Sequence, residues 1–241
     1  MNTRSIRSLV TIFSLALAPL SLAQAGQNIS SLDTGAGQYA ANTGAQLIDP
    51  NWSVTLLSST GIPPGGIPNG DAYLVPNNIG FPFGYWVDND TTSSWVSYSY
   101  PLQTGGDLTG GWYQYQVTFT AQASGQAGVR WLSDNDDDLY VNGVLLGSNS
   151  GTFAAWNSPV NFSLVSGHSY TVDLDVYNLP QSYGNPTGAR VEFSGDEGVE
   201  VSGPEAVQFR SVPDAPSRGV ALVLLVLPFV AAGSRRRRQI A

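Results

Sequence analysis

Residues 113–120 read Tyr-Gln-Tyr-Gln-Val-Thr-Phe-Thr, and residues 170–177 read Tyr-Thr-Val-Asp-Leu-Asp-Val-Tyr. In both stretches, apolar or aromatic side chains alternate with others that are mostly polar. Successive side chains of a β-strand point to opposite faces, so a period of two gathers the apolar set on one face. The two stretches therefore predict antiparallel strands with one face on a core and the other toward solvent.

Further strands are predicted by shorter apolar runs, at residues 52–57, 94–100, 128–132, 139–141, 144–146, 160–165 and 190–193. Asn142-Gly143 separates two of these runs and predicts a tight hairpin, because both residue types tolerate a positive φ. Residues 58–71 are rich in glycine and proline and predict a long surface loop. Many short strands without a helical period before the C-terminal tail favour an all-β, antiparallel β-sandwich, most simply a jelly roll.

The chain of 241 residues contains no cysteine, which excludes disulfides, zinc-thiolate sites and cysteine nucleophiles. Its basic residues are all arginine, and residues 26–210 hold three of them against seventeen acidic residues, a formal charge of −14. Such a field repels nucleic acid, whose binding depends on cationic contacts to phosphate. It favours cations or simply solubility. Residues 26–210 are numerous enough for one domain with its own core.

The N-terminus predicts export. Arg4 and Arg7 precede an apolar run at residues 9–22, which is followed by Ala23-Gln24-Ala25. A basic start, an apolar segment and small residues before a cleavage site are typical of a secretory signal peptide. We expect a signal peptide at residues 1–25, cleaved after Ala25, with Ala23 as the alternative site.

The C-terminus carries a polar motif, an apolar segment and a basic cluster. The motif is Val212, Pro213 and Asp214, and the cluster is Arg235, Arg236, Arg237 and Arg238. The apolar run at residues 220–232 is shorter than the about 20 residues that span a bilayer, but a helix counted from 216 to 235 comes close. Arginines stay on the cytoplasmic side, so we predict a C-terminal transmembrane helix with the bulk of the chain outside.

The order of these three parts resembles the PEP-CTERM class of bacterial sorting signals, with Asp214 where glutamate is usual. The resemblance implies that an exosortase, a membrane-embedded transpeptidase, recognises and processes residues 211–241. A plain membrane anchor is the alternative. The protein is then expected in the cell envelope, at the cell surface or in the extracellular matrix, at least transiently anchored, with the secretion machinery, the exosortase and the envelope membrane as partners.

A second resemblance concerns residues 26–210. The run 131–143, with its Asp-Asn and Asn-Gly pairs, and the segments 173–178 and 186–193 are similar to the hairpin and closing strands of galactose-binding-like jelly rolls found in many PEP-CTERM proteins. The resemblance implies a galactose-binding-like β-sandwich, flanked here by the N-terminal signal helix and the C-terminal transmembrane helix.

The densest chemical feature is an acidic run, which consists of Asp134, Asn135, Asp136, Asp137 and Asp138. Calcium takes six to eight oxygen ligands, and a loop between strands can present several together. A structural calcium site is therefore one hypothesis. A solvated acidic loop that discourages edge pairing is the other.

Tryptophans are the next candidates, because pockets that bind small molecules place a few polar groups around apolar and aromatic surfaces. Trp86 and Trp156 have loop-like surroundings and are the predicted ligand contacts. Burial in the core is the alternative for every tryptophan of a sandwich.

Catalysis has little support in the sequence. The one histidine, His168, follows Ser166-Gly167 in a predicted turn, and no Gly-x-Ser-x-Gly elbow is present to hold a nucleophile. We predict a non-enzymatic binding or structural module associated with extracellular polysaccharide, with no nucleic-acid partner. A secreted carbohydrate-active hydrolase or lyase with a membrane anchor is the alternative, because paired carboxylates are recognised in space and not in sequence.

Overall fold

The computed structural model describes residues 27–38, 46–105, 109–151, 153–196 and 200–202. The predicted signal peptide, the motif at 212–214, the apolar segment and the arginine cluster at 235–238 lie outside these residues. In the part of the chain that is described, no helix has the length and apolar character needed to cross a membrane. Export, sorting and membrane anchoring stay predictions.

The described residues form twelve β-strands and two short 3₁₀ helices, Ile29–Leu32 and Asn77–Ile79. The strands are β1 Gln27–Asn28, β2 Ile48–Ser59, β3 Gly70–Leu74, β4 Val96–Ser97, β5 Gly111–Ala121, β6 Gly125–Asp134, β7 Asp136–Val141, β8 Val144–Ser150, β9 Val160–Leu164, β10 Ser169–Asn178, β11 Gly188–Gly195 and β12 Glu200–Ser202. Every predicted strand overlaps one of these, which confirms the all-β assignment. The predicted loop is shorter than expected, because β2 continues to Ser59 and β3 begins at Gly70.

All strand pairs are antiparallel, and they form one sheet in the order β8-β7-β10-β5-β2-β3-β4-β11-β6-β9. β12 pairs with both β1 and β5. We call β8-β7-β10-β5-β2 the front half-sheet and β3-β4-β11-β6-β9 the back half-sheet. Both halves contribute buried side chains to one core, so the sheet folds over onto itself. The finer assignment to a galactose-binding-like jelly roll stays a prediction.

The alternation of β5 and β10 builds the front wall of this core. Its buried members are Tyr113, Tyr115, Val117 and Phe119 of β5 and Tyr170, Val172, Leu174 and Val176 of β10. In the antiparallel register Val117 lies opposite Val172. Burial of a large apolar side chain contributes about 1.5–3 kcal/mol, so these two strands account for much of the stabilisation. On the outer face, Gln116 Nε2 donates to Asp173 Oδ1 at 2.7 Å.

The back half-sheet is covered on its outer face as well. Val191 of β11 points into the shared core, whereas Arg190 on the opposite face is also fully buried. Residues 75–95 together with Phe153 and Trp156 form the cover, which we call the outer layer. It has its own apolar cluster, made of Val75, Trp86, Trp95 and Leu132, against which Phe153 and Trp156 pack.

The two ends of the sheet differ in what they carry. Asn178 pairs with Gly111, and Gly188 pairs with Asp134, so these residues mark one end, which we call the upper end. At the opposite, lower end, β12 pairs with the last residues of β5, and β1 pairs with β12. The described domain therefore begins and ends at its lower end. The predicted hairpin is confirmed between β7 and β8, with φ of 49° at Asn142 and 75° at Gly143.

Candidate functional site

An open cleft of about 290 Å³ lies at the upper end, where the outer layer, the end of β6 and the connection from β10 to β11 meet. Its described lining consists of Phe81, Pro82, Tyr85, Trp86, Asp134, Asn135, Phe153, Gln181, Tyr183, Gly184 and Pro186. Five of these eleven residues are aromatic, and Asp134, Asn135 and Gln181 supply polar groups. That composition is typical of small-molecule sites.

Three aromatic side chains form the rim of the cleft. Tyr183 is 81% exposed, Tyr85 68% and Phe81 42%. The rings of Phe81 and Tyr85 meet edge to face, with centroids 6.0 Å apart. Gly184 has a φ of 59°, and a Cβ there would lie only 3.4 Å from the Phe81 ring, so the two sides of the rim approach closely. The rim therefore offers apolar planes to solvent around one opening.

The floor of the cleft is a hydrogen-bonded pair, Trp86 and Asp134. The Trp86 ring stacks on Trp95 with a centroid distance of 4.1 Å, and its Nε1 donates to Asp134 Oδ2 at 2.8 Å. Asp134 is buried, and burial raises its pKa to about 7, although the hydrogen bond from Trp86 opposes the shift. The carboxyl group therefore changes its protonation near neutral pH while it lines the cleft.

Asn135 fixes the segments around the floor. Its backbone amide donates to the Tyr177 carbonyl at 3.2 Å, and its carbonyl accepts from the Gly151 amide at 3.1 Å. Its Oδ1 accepts from the Leu179 amide at 2.8 Å. Thr187 Oγ1 in turn donates to the Asp134 carbonyl at 2.6 Å. These bonds join the β6–β7 junction to the two neighbouring connections, so the polar floor is held in place by its surroundings.

The acidic run does not form the predicted loop. Asp134 ends β6, and residues 136–138 belong to β7, so their carboxylates alternate between the two faces of the sheet. Asp137 points inward, where Trp131 Nε1 donates to it at 2.7 Å and Ser133 Oγ also donates, whereas Ser150 Oγ donates to Asp136 on the outer face at 3.1 Å. The expectation of a solvated loop is wrong for the two buried carboxylates, Asp134 and Asp137.

The same alternation bears on the calcium hypothesis. Asp138 points outward and accepts from Ser148 Oγ, away from Asp134. Among the described residues, no group of three or more acidic or histidine side chains is arranged to hold a metal ion. The run of five residues therefore supplies no convergent ligand set there, and calcium binding stays a prediction.

The two predicted tryptophans have different positions. Trp86 lines the cleft but is only 3% exposed, so it belongs to the floor and is not an exposed platform. Trp156 lies outside the cleft, and the guanidinium groups of Arg130 and Arg190 pack on its ring, at 4.5 and 4.9 Å from the ring centroid. Contacts of this kind stabilise the outer layer.

The two arginines on Trp156 are held by carboxylates. Arg130 Nε donates to Glu192 Oε2 at 2.8 Å. Arg190 forms an ion pair with Asp90 at 2.9 Å and donates to Ser93 Oγ at 2.6 Å. Burial lowers the pKa of Arg190, while the adjacent Asp90 opposes that shift. This network fastens the outer layer to β11 and so positions Trp86 at the cleft.

The rim residues were missed by sequence reasoning. Phe81 and Tyr85 lie in the segment Gly-Phe-Pro-Phe-Gly-Tyr at residues 80–85, and Tyr183 lies between serine and glycine. Glycine and proline beside aromatic residues indicate turns in which a ring has no strand face to pack on. These turns are therefore the signal in the sequence that could have indicated the rim.

His168 is exposed in the turn before β10, at the lower end, far along the strand from the cleft. Its backbone amide donates to the Val165 carbonyl at 3.1 Å, as expected for a turn residue. Of the described residues that line the cleft, Asp134 is the only carboxylate and none is a histidine.

No protein-family model matches the chain, and no curated protein matches its sequence. Among solved structures, a β-glucosidase from Kluyveromyces marxianus in complex with glucose is 14% identical over 36% of this chain and 11% of that one, with a TM-score of 0.31. A family 35 carbohydrate binding module from an environmental isolate is 11% identical over 63% and 92%, with a TM-score of 0.29. The PA14 sugar-binding domain of an RTX adhesin is 18% identical over 38% and 51%, with a TM-score of 0.28. This chain thus spans about a tenth of the β-glucosidase and half of the PA14 domain, and scores this low transfer no function.

Proposed function

We propose that the described domain is a non-enzymatic carbohydrate-binding module and that the cleft at its upper end holds the sugar. The observation that carries the proposal is the exposed rim of Phe81, Tyr85 and Tyr183 around a polar floor. A sugar ring has apolar C–H faces and a girdle of hydroxyl groups. Aromatic planes can cover the C–H faces, and a few fixed polar groups can form hydrogen bonds with the hydroxyl groups.

The size of the cleft indicates how much sugar it takes. At about 290 Å³ it lies at the low end of the roughly 300–1,000 Å³ typical of small-molecule sites. This favours a single sugar unit or a chain end over a long stretch of polysaccharide. The fixed floor also favours binding, since little ordering is left to be done when the ligand enters.

The module is exported and sorted by an exosortase in this proposal. The support comes from the predicted signal peptide, the Val212-Pro213-Asp214 motif and the arginine cluster at 235–238. β1 and β12 both lie at the lower end of the domain, opposite the cleft.

The sorting part of the proposal has its own test. The intact mass of the protein from the cell envelope is compared between the wild type and Pro213→Ala. Exosortase processing predicts a chain that ends near Asp214 in the wild type and at Ala241 in the variant. An unprocessed tail in both would leave a plain membrane anchor.

A carbohydrate-active enzyme is the second candidate, and one observation favours it. Asp134 combines a raised pKa with a place in an aromatic cleft, as the general acid of a glycosidase does. Most glycosidases, however, use two carboxylates roughly 5–9.5 Å apart. If the protein is an enzyme, it releases oligosaccharides and Asp134→Asn abolishes that release. A binding module releases none. A purely structural protein would neither bind nor release sugar.

The binding proposal is tested with the full-length protein, purified in a detergent without a sugar headgroup and applied to a broad glycan panel. Tyr183→Ala removes the most exposed rim ring. If a sugar covers about 60 Å² of that ring, the loss is about 1.5 kcal/mol, or about tenfold in affinity. Tyr140→Ala is the matched control, because Tyr140 lies on the outer face of β7 away from the cleft. No retention of any glycan, or equal losses in both variants, would contradict the proposal.

A further inference from the structure

We propose that the cleft selects neutral sugars and rejects sugars that carry a carboxylate, with Asp134 as the discriminating group. This inference rests on the proposed carbohydrate-binding function and names the class of ligand for that same cleft. It depends on the position of one acidic side chain, the bonds that the side chain already makes, and the placement of the arginines.

Asp134 keeps part of its bonding capacity for a ligand. Its Oδ2 accepts from Trp86 Nε1 at 2.8 Å, and its Oδ1 accepts from Asn135 Nδ2 at 2.5 Å. A carboxylate offers about four lone-pair sites, so each oxygen can still accept one further hydrogen bond. Because Asp134 lines the cleft, the hydroxyl groups of a ligand in the cleft can supply these hydrogen bonds.

The described lining of the cleft contains no cation to offset this acid. None of its described lining residues is a lysine, arginine or histidine, and the chain contains no lysine at all. Arg130 and Arg190 belong to the network around Trp156, where they bond Glu192 and Asp90. A ligand carboxylate would therefore meet Asp134 across a partly desolvated floor without a counter-ion, and charges interact more strongly there than in water.

A neutral hydroxyl suits Asp134 in either protonation state. The ionised group accepts from it, and the protonated group can also donate to it. The groups that face Asp134 are Trp86, Asn135 and the phenol of Tyr115, whose pKa is raised by burial so that it stays neutral. Since burial raises the pKa of Asp134 to about 7, the repulsion of an anionic sugar is strongest above neutral pH.

The test compares matched ligands on the full-length protein, in an uncharged detergent without a sugar headgroup, at pH 8. Each hexose oligosaccharide of a panel is measured beside its C6-carboxylated uronate counterpart. We expect the neutral member of the bound pairs to bind at least about tenfold more tightly, a difference of about 1.4 kcal/mol. If neither member of any pair binds, the proposed function itself fails and this inference with it.

Two variants assign the selectivity to charge in the cleft. Asp134→Asn keeps an oxygen for Trp86 Nε1 but removes the charge, so the preference for the neutral sugar should shrink to near parity. Gln181→Arg adds a cation at an exposed lining position and should strengthen uronate binding severalfold, independently of whether the buried substitution is tolerated. Uronates that bind the wild type as tightly as neutral sugars would overturn the inference while leaving the proposed function intact. If the preference for the neutral sugar is unchanged in both variants, Asp134 is not the group that discriminates.

Discussion

The hydrogen bond between Trp86 and Asp134 predicts a stability defect that depends on pH. Trp86→Phe keeps an aromatic ring against Trp95 but removes the Nε1 donor that lies 2.8 Å from the carboxyl group. In the wild type, burial raises the pKa of Asp134 from 3.8 to about 7. Between these values the folded state holds a proton that the unfolded chain has released, so stability falls as pH rises through this window.

In the Trp86→Phe variant, stability should continue to fall up to a higher pH than in the wild type. The hydrogen bond from Trp86 lowers the pKa of Asp134, so its removal raises the pKa further. A hydrogen bond to a charged acceptor contributes about 1.5–3 kcal/mol and one to a neutral acceptor about 0.5–1.5 kcal/mol. The free energy of unfolding lost through Trp86→Phe should therefore be about 1 kcal/mol larger at pH 8.5 than at pH 5.

Urea unfolding followed by circular dichroism measures this difference on the full-length protein. Trp95→Phe is the matched control, because its Nε1 donates at 2.8 Å to the carbonyl of Val87, which does not titrate. Its loss should be the same at both pH values. Equal losses for Trp86→Phe at pH 5 and pH 8.5, or the same pH dependence in the control, would refute the reasoning.

Three other substitutions test the framework of the described domain by the same unfolding assay. Asp49→Ala should cost about 3 kcal/mol, because the buried carboxylate accepts from three backbone amides at 2.5–2.9 Å and unsatisfied buried donors cost about 1–3 kcal/mol each; a loss below about 1 kcal/mol would contradict this. Gly188→Ala should destabilise the domain and weaken sugar binding, since the new Cβ would lie 2.7 Å from a β4 carbonyl oxygen and 3.1 Å from the Trp86 ring. Gly105→Ala, whose new Cβ would have no atom of the described residues within 4 Å, should change neither. Arg190→Met should cost about 3 kcal/mol because it breaks a buried ion network, and Arg130→Met, at a position whose side chain is 42% exposed, should cost clearly less.

The two long strands β5 and β10 of the front half-sheet could be predicted because one simple rule decides them. β5 and β10 each have one face on the core and the other more exposed, so their alternation is directly visible in the sequence. The Asn142-Gly143 hairpin was predictable for a local reason, since both residues adopt the positive φ that the tight turn requires.

The outer layer could not be predicted in the same way. The sequence of β11 alternates apolar and charged residues, as a half-exposed strand does, yet Arg190 is fully buried beneath Trp156. Its burial depends on partners more than 90 positions away in the chain, such as Ser93 and Asp90. Contacts of that range leave no periodic pattern.

The site was predicted only in part. Asp134 was predicted as a site residue from the acidic run, but the run alone does not show that it lies in a strand, where successive side chains point to opposite faces. Trp86 was named as a ligand contact, and the structure places it at the cleft as part of the floor. Tyr183 and Phe81 lie in segments between strands, where the sequence has no hydrophobic periodicity. Only the fold brings these two residues to one rim.

Sugar binding at the cleft is tested most directly by a titration of the full-length protein with the neutral oligosaccharide that the glycan panel retains best. The wild type is compared with a Phe81→Ala/Tyr183→Ala variant, which removes two rings of the rim. The account predicts saturable binding in the wild type and its loss in the variant, with an unchanged midpoint of urea unfolding. Saturable binding that survives the loss of both rings, or no binding of any glycan by the wild type, would contradict it.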